Sequence, residues 1–332
     1  MIIYTGGTFG MAHDAAGVLV PFDFSLILEH LPALRNLALD LTVISFDQPI
    51  DSSNIKLIHW QQIAQLIYDH HHEQDGFVVL HGTDTMSYTA SALSFMLQGL
   101  KKPVVFTGAQ LPISELRSDA RENLITSLEI AAAKKNGKAI VLEVCIYFGD
   151  ELLRANRSKK AESMHFDAFQ SDNYPPLAKA GVKIEYNEAA ILTPKDELKL
   201  TDKLENAIVI LKLFPGIPDE AVKAMTSING LKAIVMETFG SGNAPTTPAF
   251  LQILKEAINR GIIILNVSQC SGGMVMQGRY ETSKDLLQIG VISGSDMTTE
   301  AVLTKLMVLL PQFSGAEIKE QLSRPLAGEM TE

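Results

Sequence analysis

A short apolar run, Asp75-Gly76-Phe77-Val78-Val79-Leu80, leads into His81-Gly82-Thr83-Asp84-Thr85-Met86, and a stretch with helical Ala and Leu spacing follows from Ser87 to Leu97. The run has the pattern of a buried strand, so the hydroxyls and the carboxylate fall on a strand-to-helix turn. In open α/β sheets, ligands bind in the crevice beyond the carboxyl ends of the strands. Ile2-Ile3-Tyr4 followed by Thr5-Gly6-Gly7-Thr8 repeats the layout. Two strand ends thus each present a threonine at a glycine turn. Gly6, Gly7 and Gly82 have no Cβ, so backbone N–H groups there can approach a substrate closely. A hydroxyl beside such donors suits acyl transfer, with nucleophile and oxyanion site together.

Strand-like and helical segments alternate from residue 1 to about 185, which predicts βαβ units and a mostly parallel sheet. The expected strands are Phe77 to Leu80, Pro103 to Thr107 and Ala139 to Ile146; the expected helices are Asn54 to Gln74, Ser87 to Gln98 and Asp119 to Lys135. A polar stretch centred on Thr193-Pro194-Lys195-Asp196-Glu197 separates this region from a second alternating one. There, strands are expected at Ala207 to Leu213, Lys232 to Met236 and Ile262 to Val267, and helices at Pro218 to Thr226, Thr247 to Arg260 and Thr299 to Leu310. We therefore expect an α/β protein: a larger N-terminal domain over 1–190 carrying the active site, a linker over 191–206, and a smaller C-terminal α/β domain over 207–332.

Composition narrows the functions. Of 332 residues, 46% are hydrophobic and 20% charged, ordinary for a chain that buries a sizeable core. A formal charge of −10 argues against nucleic acid and anionic membrane as partners, since both call for a basic face. No apolar run reaches the roughly 20 residues of a transmembrane helix. The first expected strand begins at Ile2 and leaves no room for a leader, so a cytoplasmic protein is expected. Cys145 and Cys270, far apart and each in or beside an apolar run, are expected to be buried free thiols.

The two threonine motifs, in this order and strand context, resemble the bacterial L-asparaginases, and more closely the type I, cytoplasmic branch. The resemblance extends over nearly the whole chain. It includes Asp51-Ser52-Ser53, Tyr88 to Leu97, Glu115-Leu116-Arg117-Ser118-Asp119, Asn156-Arg157 with Lys160-Ala161, Gly242-Asn243-Ala244-Pro245 and Asp296-Met297-Thr298. It implies two unequal α/β domains and hydrolysis of the side-chain amide of L-asparagine to L-aspartate and ammonia, with minor glutaminase activity allowed. It also implies no cofactor and no metal, and a homodimer or homotetramer. Two other readings stay open: a catalytically weakened, asparaginase-like small-molecule binding protein, and the subunit of a tRNA-dependent amidotransferase.

The resemblance assigns Thr8 to the acyl-enzyme, Thr83 to the second essential threonine, and Lys160 to the base. Taken alone, Thr8 is also a plausible turn cap, and Lys160 a member of a solvated basic run with Arg154, Arg157 and Lys159. Asp84 suits the substrate's ammonium group and equally suits a helix N-cap. Asp51, Ser52 and Ser53 are expected to contact substrate, the two hydroxyls donating to its α-carboxylate; the same residues are common helix starters.

Two departures from the pattern stand out. Relatives carry a tyrosine on a mobile segment after the first threonine. Here that segment is Phe9 to Pro21, with Val18 or Leu19 at the tyrosine's place and no Tyr between Tyr4 and Tyr68. A valine cannot relay a proton. In the C-terminal domain, Glu237 stands where some members have an arginine that helps form an allosteric asparagine site. His70-His71-His72 do not converge on one metal ion, because consecutive helical side chains diverge by about 100°; a solvated helix end is expected. His81 is expected to orient its turn, and Trp60 to pack in the core.

Overall fold

The computed structural model describes residues 1–13, 19–21, 31–278 and 281–331. The chain divides into two compact units, Met1–Asp202 and Lys203–Glu332.

The first unit is built on an eight-stranded sheet. Its strands are β1 (Ile2–Tyr4), β2 (Val43–Ser45), β3 (Phe77–Leu80), β4 (Val104–Thr107), β5 (Val144–Phe148), β6 (Glu151–Arg154), and, after the small pair β7 (Lys159–Lys160) and β8 (Phe169–Gln170), β9 (Ala178–Ala180) and β10 (Ile184–Tyr186). The spatial order is β10-β9-β6-β5-β4-β3-β1-β2. From β2 to β5 all neighbours are parallel, and β6, β9 and β10 continue antiparallel. The expected mostly parallel sheet is present. β1, β3, β4 and β5 are buried at every position, which is why they read as unbroken apolar runs without alternation.

The chain leaves β1 for β2 on one side and then crosses to β3 on the other. β1 is therefore the switch point where an open parallel sheet parts its connections and leaves a crevice. Helix α1 (Leu57–His70), α2 (Met86–Met96) and α3 (Ala120–Ala132) are the expected ones, trimmed at their ends. All of α2 but Tyr88 is buried, as its small Ala and Ser residues permit. The expected strand Ala139 to Ile146 forms instead as Val144–Phe148, and Ala139 belongs to a separate short hairpin. Asn136 and Gly137 both take positive φ (53° and 77°) and turn Lys134–Lys135 back onto Lys138–Ala139 as a hairpin.

Lys199–Leu200, within the polar stretch, pairs antiparallel with Leu97–Gln98. The second unit is a four-stranded parallel sheet, β11 (Ile208–Lys212), β12 (Ala233–Thr238), β13 (Ile263–Ser268) and β14 (Ile292–Ser293), in that order. Its helices are α4 (Asp219–Thr226), α5 (Pro248–Asn259), α6 (Glu281–Ile289), α7 (Thr299–Leu309) and α8 (Gly315–Leu322). Among the described residues, no helix is long and apolar enough to cross a membrane.

Two further expectations are corrected, and one alternative reading falls. Cys145 is buried but Cys270 is exposed, because it follows the end of β13 rather than lying in it. His71 is buried, not solvated: it caps α1, and its carbonyl accepts from Lys102 Nζ, which also donates to the Gln74 carbonyl at 2.6 Å. Burial pushes the His71 imidazole down to about 4. Arg154 and Arg157 do not belong to a solvated basic run; each is 3% exposed.

Candidate active site

Four turns meet at the carboxyl ends of β2, β1, β3 and β4, and glycines set their spacing. Ile50 N–H donates to the Thr5 carbonyl (2.8 Å), and Thr5 donates to the Leu80 carbonyl through both N–H (3.0 Å) and hydroxyl (2.9 Å). Any Cβ on Gly6 would lie 2.3 Å from the Ile50 backbone, and one on Gly82 would lie 2.6 Å from Ser52 Oγ. Real Cβ contacts do not come so near, so a side chain at Gly6 would displace the Ile50 backbone and one at Gly82 the Ser52 side chain.

Thr8 opens a short 3-10 turn, Thr8–Gly10, directly after Gly7. Thr83 opens another, Thr83–Thr85, which runs straight into α2. Asp84 lies inside that turn and not at its cap; the N-cap residue is Gly82, with no side-chain capping bond. Of the two readings for Asp84, the cap is therefore the one the geometry does not use.

Lys160 reaches this turn from β7. Its Nζ lies 2.8 Å from Thr83 Oγ1 and 2.7 Å from Asp84 Oδ1. The lysine side chain is 17% exposed, that of Asp84 65%. Lys159 lies 4.0 Å from Asp172. Strand alternation sends consecutive side chains to opposite faces, and it separates the two lysines that sequence alone leaves equivalent. The run that carries Lys160 is anchored by buried charge. Arg154 pairs with Glu143 at 2.6 Å and donates to the Ala190 carbonyl at 2.7 Å. Tyr174 lies under both Arg154 (4.2 Å) and Arg157 (5.2 Å).

His81 fixes the turn from below. It is fully buried, and burial pushes its imidazole down to about 4, so it is neutral near pH 7. Trp60 Nε1–H donates to Thr89 Oγ1 (2.9 Å), Thr89 Oγ1 lies 3.0 Å from His81 Nε2, and His81 Nδ1 lies 2.7 Å from the Gly82 carbonyl oxygen. A carbonyl can only accept, so Nδ1 carries the proton and Nε2 accepts from the Thr89 hydroxyl. The chain of three bonds orients Gly82 and, with it, Thr83. This tautomer leaves no ring nitrogen to act as a base, in line with the orienting role expected for His81.

Asp51 Oδ1 accepts from Ser53 N–H (2.9 Å) and Ser53 Oγ (2.8 Å), which holds the Asp51 carboxyl below its ordinary range. The helix-start reading of Asp51 is thus realised, as the cap of the Ser52–Asn54 turn. Ser52 is buried, and its carbonyl accepts from Thr85 Oγ1 at 2.7 Å. Val18 lies outside the described residues, and Leu19 begins a strand paired with Met11–His13.

Gln110 is a site residue that sequence reasoning misses. It follows β4, and its Oε1 lies 3.5 Å from Thr83 Oγ1, its Nε2 donates to the His165 carbonyl (2.9 Å), and its N–H donates to the Asp119 carboxylate (3.0 and 3.1 Å). The signal that could have found it is its position just past the end of the parallel strand Val104–Thr107. In the second unit, Glu237 accepts from Thr299 Oγ1 (2.7 Å) and lies 3.5 Å from Lys212 Nζ.

Fold and site define a two-unit α/β protein with a threonine–lysine–aspartate cluster at the switch point of a parallel sheet. The chain belongs to the asparaginase family: residues 1–192 match the domain described as "Asparaginase, N-terminal" and residues 207–322 the "Glutaminase/Asparaginase C-terminal domain". It is 42% identical to L-asparaginase 1 of Escherichia coli K12 over 338 residues, covering 99% of this chain and 97% of that protein. The structure is similar to L-asparaginase I of Vibrio cholerae, with a TM-score of 0.90 at 41% identity over 99% of this chain and 98% of that one. It is also similar to the thermostable L-asparaginase of Thermococcus kodakarensis, with a TM-score of 0.89 at 32% identity over 100% of this chain and 98% of that one.

Proposed function

We propose that this site hydrolyses the side-chain amide of L-asparagine to L-aspartate and ammonia. The protein is an L-asparaginase, an amidohydrolase of the type I branch. One observation carries the site assignment: Lys160 Nζ lies within hydrogen-bond reach of both Thr83 Oγ1 and Asp84 Oδ1, beside the turn that bears Thr8.

In this reading Thr8 is the nucleophile and forms the acyl-enzyme. Its proton passes to the Thr83–Lys160 pair, which returns it to the departing ammonia. Backbone N–H groups at the glycine turns stabilise the oxyanion. Water activated by the same pair then releases aspartate. Asp84 holds the substrate's α-ammonium, and Ser52 and Ser53, positioned by Asp51, donate to its α-carboxylate. No step calls on a metal or an organic cofactor. Residues 1–190 form the catalytic domain and 207–332 the smaller one, joined through 191–206. The working form is a homodimer or homotetramer in the cytoplasm.

The test is ammonia release from asparagine by the purified protein alone, with glutamine in parallel. Release from asparagine supports the reading. Strict dependence on a partner and tRNA, or binding without turnover, overturns it.

A further inference from the structure

Asp84 has two claims on it. Its Oδ1 is 2.7 Å from Lys160 Nζ, and the same carboxylate, 65% exposed, is the group open to a substrate ammonium. Lys160 is the less exposed member of the pair, at 17% exposure. Bonds around Thr83 fix the resting state of the relay. A charged lysine can only donate, so Lys160 donates to Thr83 Oγ1, and the Thr83 proton is left to point towards Gln110 Oε1 at 3.5 Å. In that arrangement Lys160 cannot accept a proton from Thr83.

We propose that the substrate's α-ammonium switches the site on by taking Asp84 from Lys160. This inference rests on the reading of the site as one for an α-amino acid amide. Two cations against one carboxylate leave an excess positive charge in a partly buried place, and a like charge nearby disfavours the charged form. Relief comes when Lys160–NH3⁺ gives one proton to solvent and becomes Lys160–NH2. The hydrogen bond to Thr83 then reverses, the Thr83 hydroxyl donates to Lys160, and the relay can take the Thr8 proton. In this proposal the substrate ammonium keeps its proton because it takes over Asp84, the more exposed partner, and also lies beside its own carboxylate, whereas Lys160 loses its only carboxylate among the described residues.

Other ionisable groups around Lys160 do not replace Asp84. Lys159 on its own strand lies near Asp172, the paired strand Phe169–Gln170 has no ionisable side chain, and α2 supplies only Tyr88. Glu162, His165 and Asp167 belong to the exposed turn between the two strands.

The first experiment compares kcat against pH for asparagine and for succinamate, which is asparagine without its α-amino group. The kcat profile reports groups in the enzyme–substrate complex. The acid limb with succinamate is expected about one pH unit or more above that with asparagine, a shift belonging to the coupled cluster as a whole. Coincident limbs overturn the inference while leaving the asparaginase reading intact; no ammonia from asparagine at any pH instead overturns that reading.

The second experiment measures proton release when asparagine binds the Thr8→Val variant, by calorimetry in buffers of different ionisation enthalpy. About one proton per site is expected near pH 7.5, and none in the Thr8→Val/Lys160→Met double variant. No release, or a release that survives Lys160→Met and so comes from the substrate's own ammonium, overturns the switch.

Discussion

A methyl group placed on Gly7 would stand 2.6 Å from the Cα of Gly82. The turns that carry the two threonines are therefore in direct backbone contact. Gly7 also has φ of 86°, whereas Gly82 has φ of −64°, a conformation open to any residue. The two glycines should respond differently to alanine. Gly7→Ala is expected to destabilise the fold by at least about 1–3 kcal/mol, from backbone strain before the clash is counted. Gly82→Ala meets Ser52 most closely at its side chain, Oγ at 2.6 Å and Cβ at 2.7 Å, with its backbone N at 3.3 Å, and is expected to displace that serine and lower activity. Adding Ser52→Gly should restore the melting temperature of Gly82→Ala; a melting temperature that stays low would show that contact with Ser52 is not what excludes alanine.

Thr83→Val removes a hydroxyl and nearly preserves shape. Lys160 keeps its bond to Asp84, so the fold should hold. We expect kcat to fall on the order of 10²–10⁴-fold, the range of one proton relay. Turnover within a fewfold of the parent enzyme would remove Thr83 from the relay.

The neutral His81 predicts acid sensitivity with a definite sign. Its folded value of about 4 lies below the ordinary 6.5, so between those values the unfolded chain binds the extra proton. Stability is then complete above about 6.5 and is lost as pH falls towards 4, by up to about 3 kcal/mol for a shift of this size. Urea unfolding across that range should show the slope, and it should shrink in His81→Gln. An equally steep slope in the variant would assign the effect to other groups, of which His71 is the first candidate.

Breaking the Glu143–Arg154 pair should be costly. Both side chains are at most 5% exposed, and Glu143 also accepts from Leu192 N–H at 2.7 Å. Arg154→Met leaves an uncompensated buried carboxylate, worth about 3–5 kcal/mol. Because the same run carries Lys160, activity is expected to fall along with the thermal midpoint. A wild-type midpoint would contradict the assignment.

Glu237 bears on regulation. It is held by Thr299 and Lys212 in the second unit, and a carboxylate there repels the carboxylate of an asparagine effector. Saturation with asparagine should be close to hyperbolic. Initial rates over a wide concentration range check this, and a clear sigmoid would count against it.

The strands of the first unit placed best from sequence are those whose side chains face no water. β1 and β3 are apolar at every position and bounded by glycine turns, so both can be placed to the residue. β9 and β10, Ala-Lys-Ala and Ile-Glu-Tyr, lie at a half-exposed antiparallel edge and give neither an apolar run nor a length signal. Thr8 and Thr83 are visible because their turns are local. Lys160 is distinguishable from Lys159 only by resemblance, since pairing with Phe169 decides which one faces Thr83. Gln110 and the Trp60–Thr89–His81 chain escape notice because each joins segments 8 to 55 positions apart, and no local pattern encodes such a meeting.

The place of β1 between two strands that follow it in sequence has a consequence for biosynthesis. Ile2–Tyr4 lies between Val43–Ser45 and Phe77–Leu80, both translated later. On the ribosome, this apolar segment emerges long before either neighbour exists, and its edges stay open while some seventy further residues are made. The nascent chain must therefore keep Ile2–Tyr4 from pairing elsewhere, and the catalytic crevice beside it cannot form until Lys160 and its partner strand Phe169–Gln170 have been made as well.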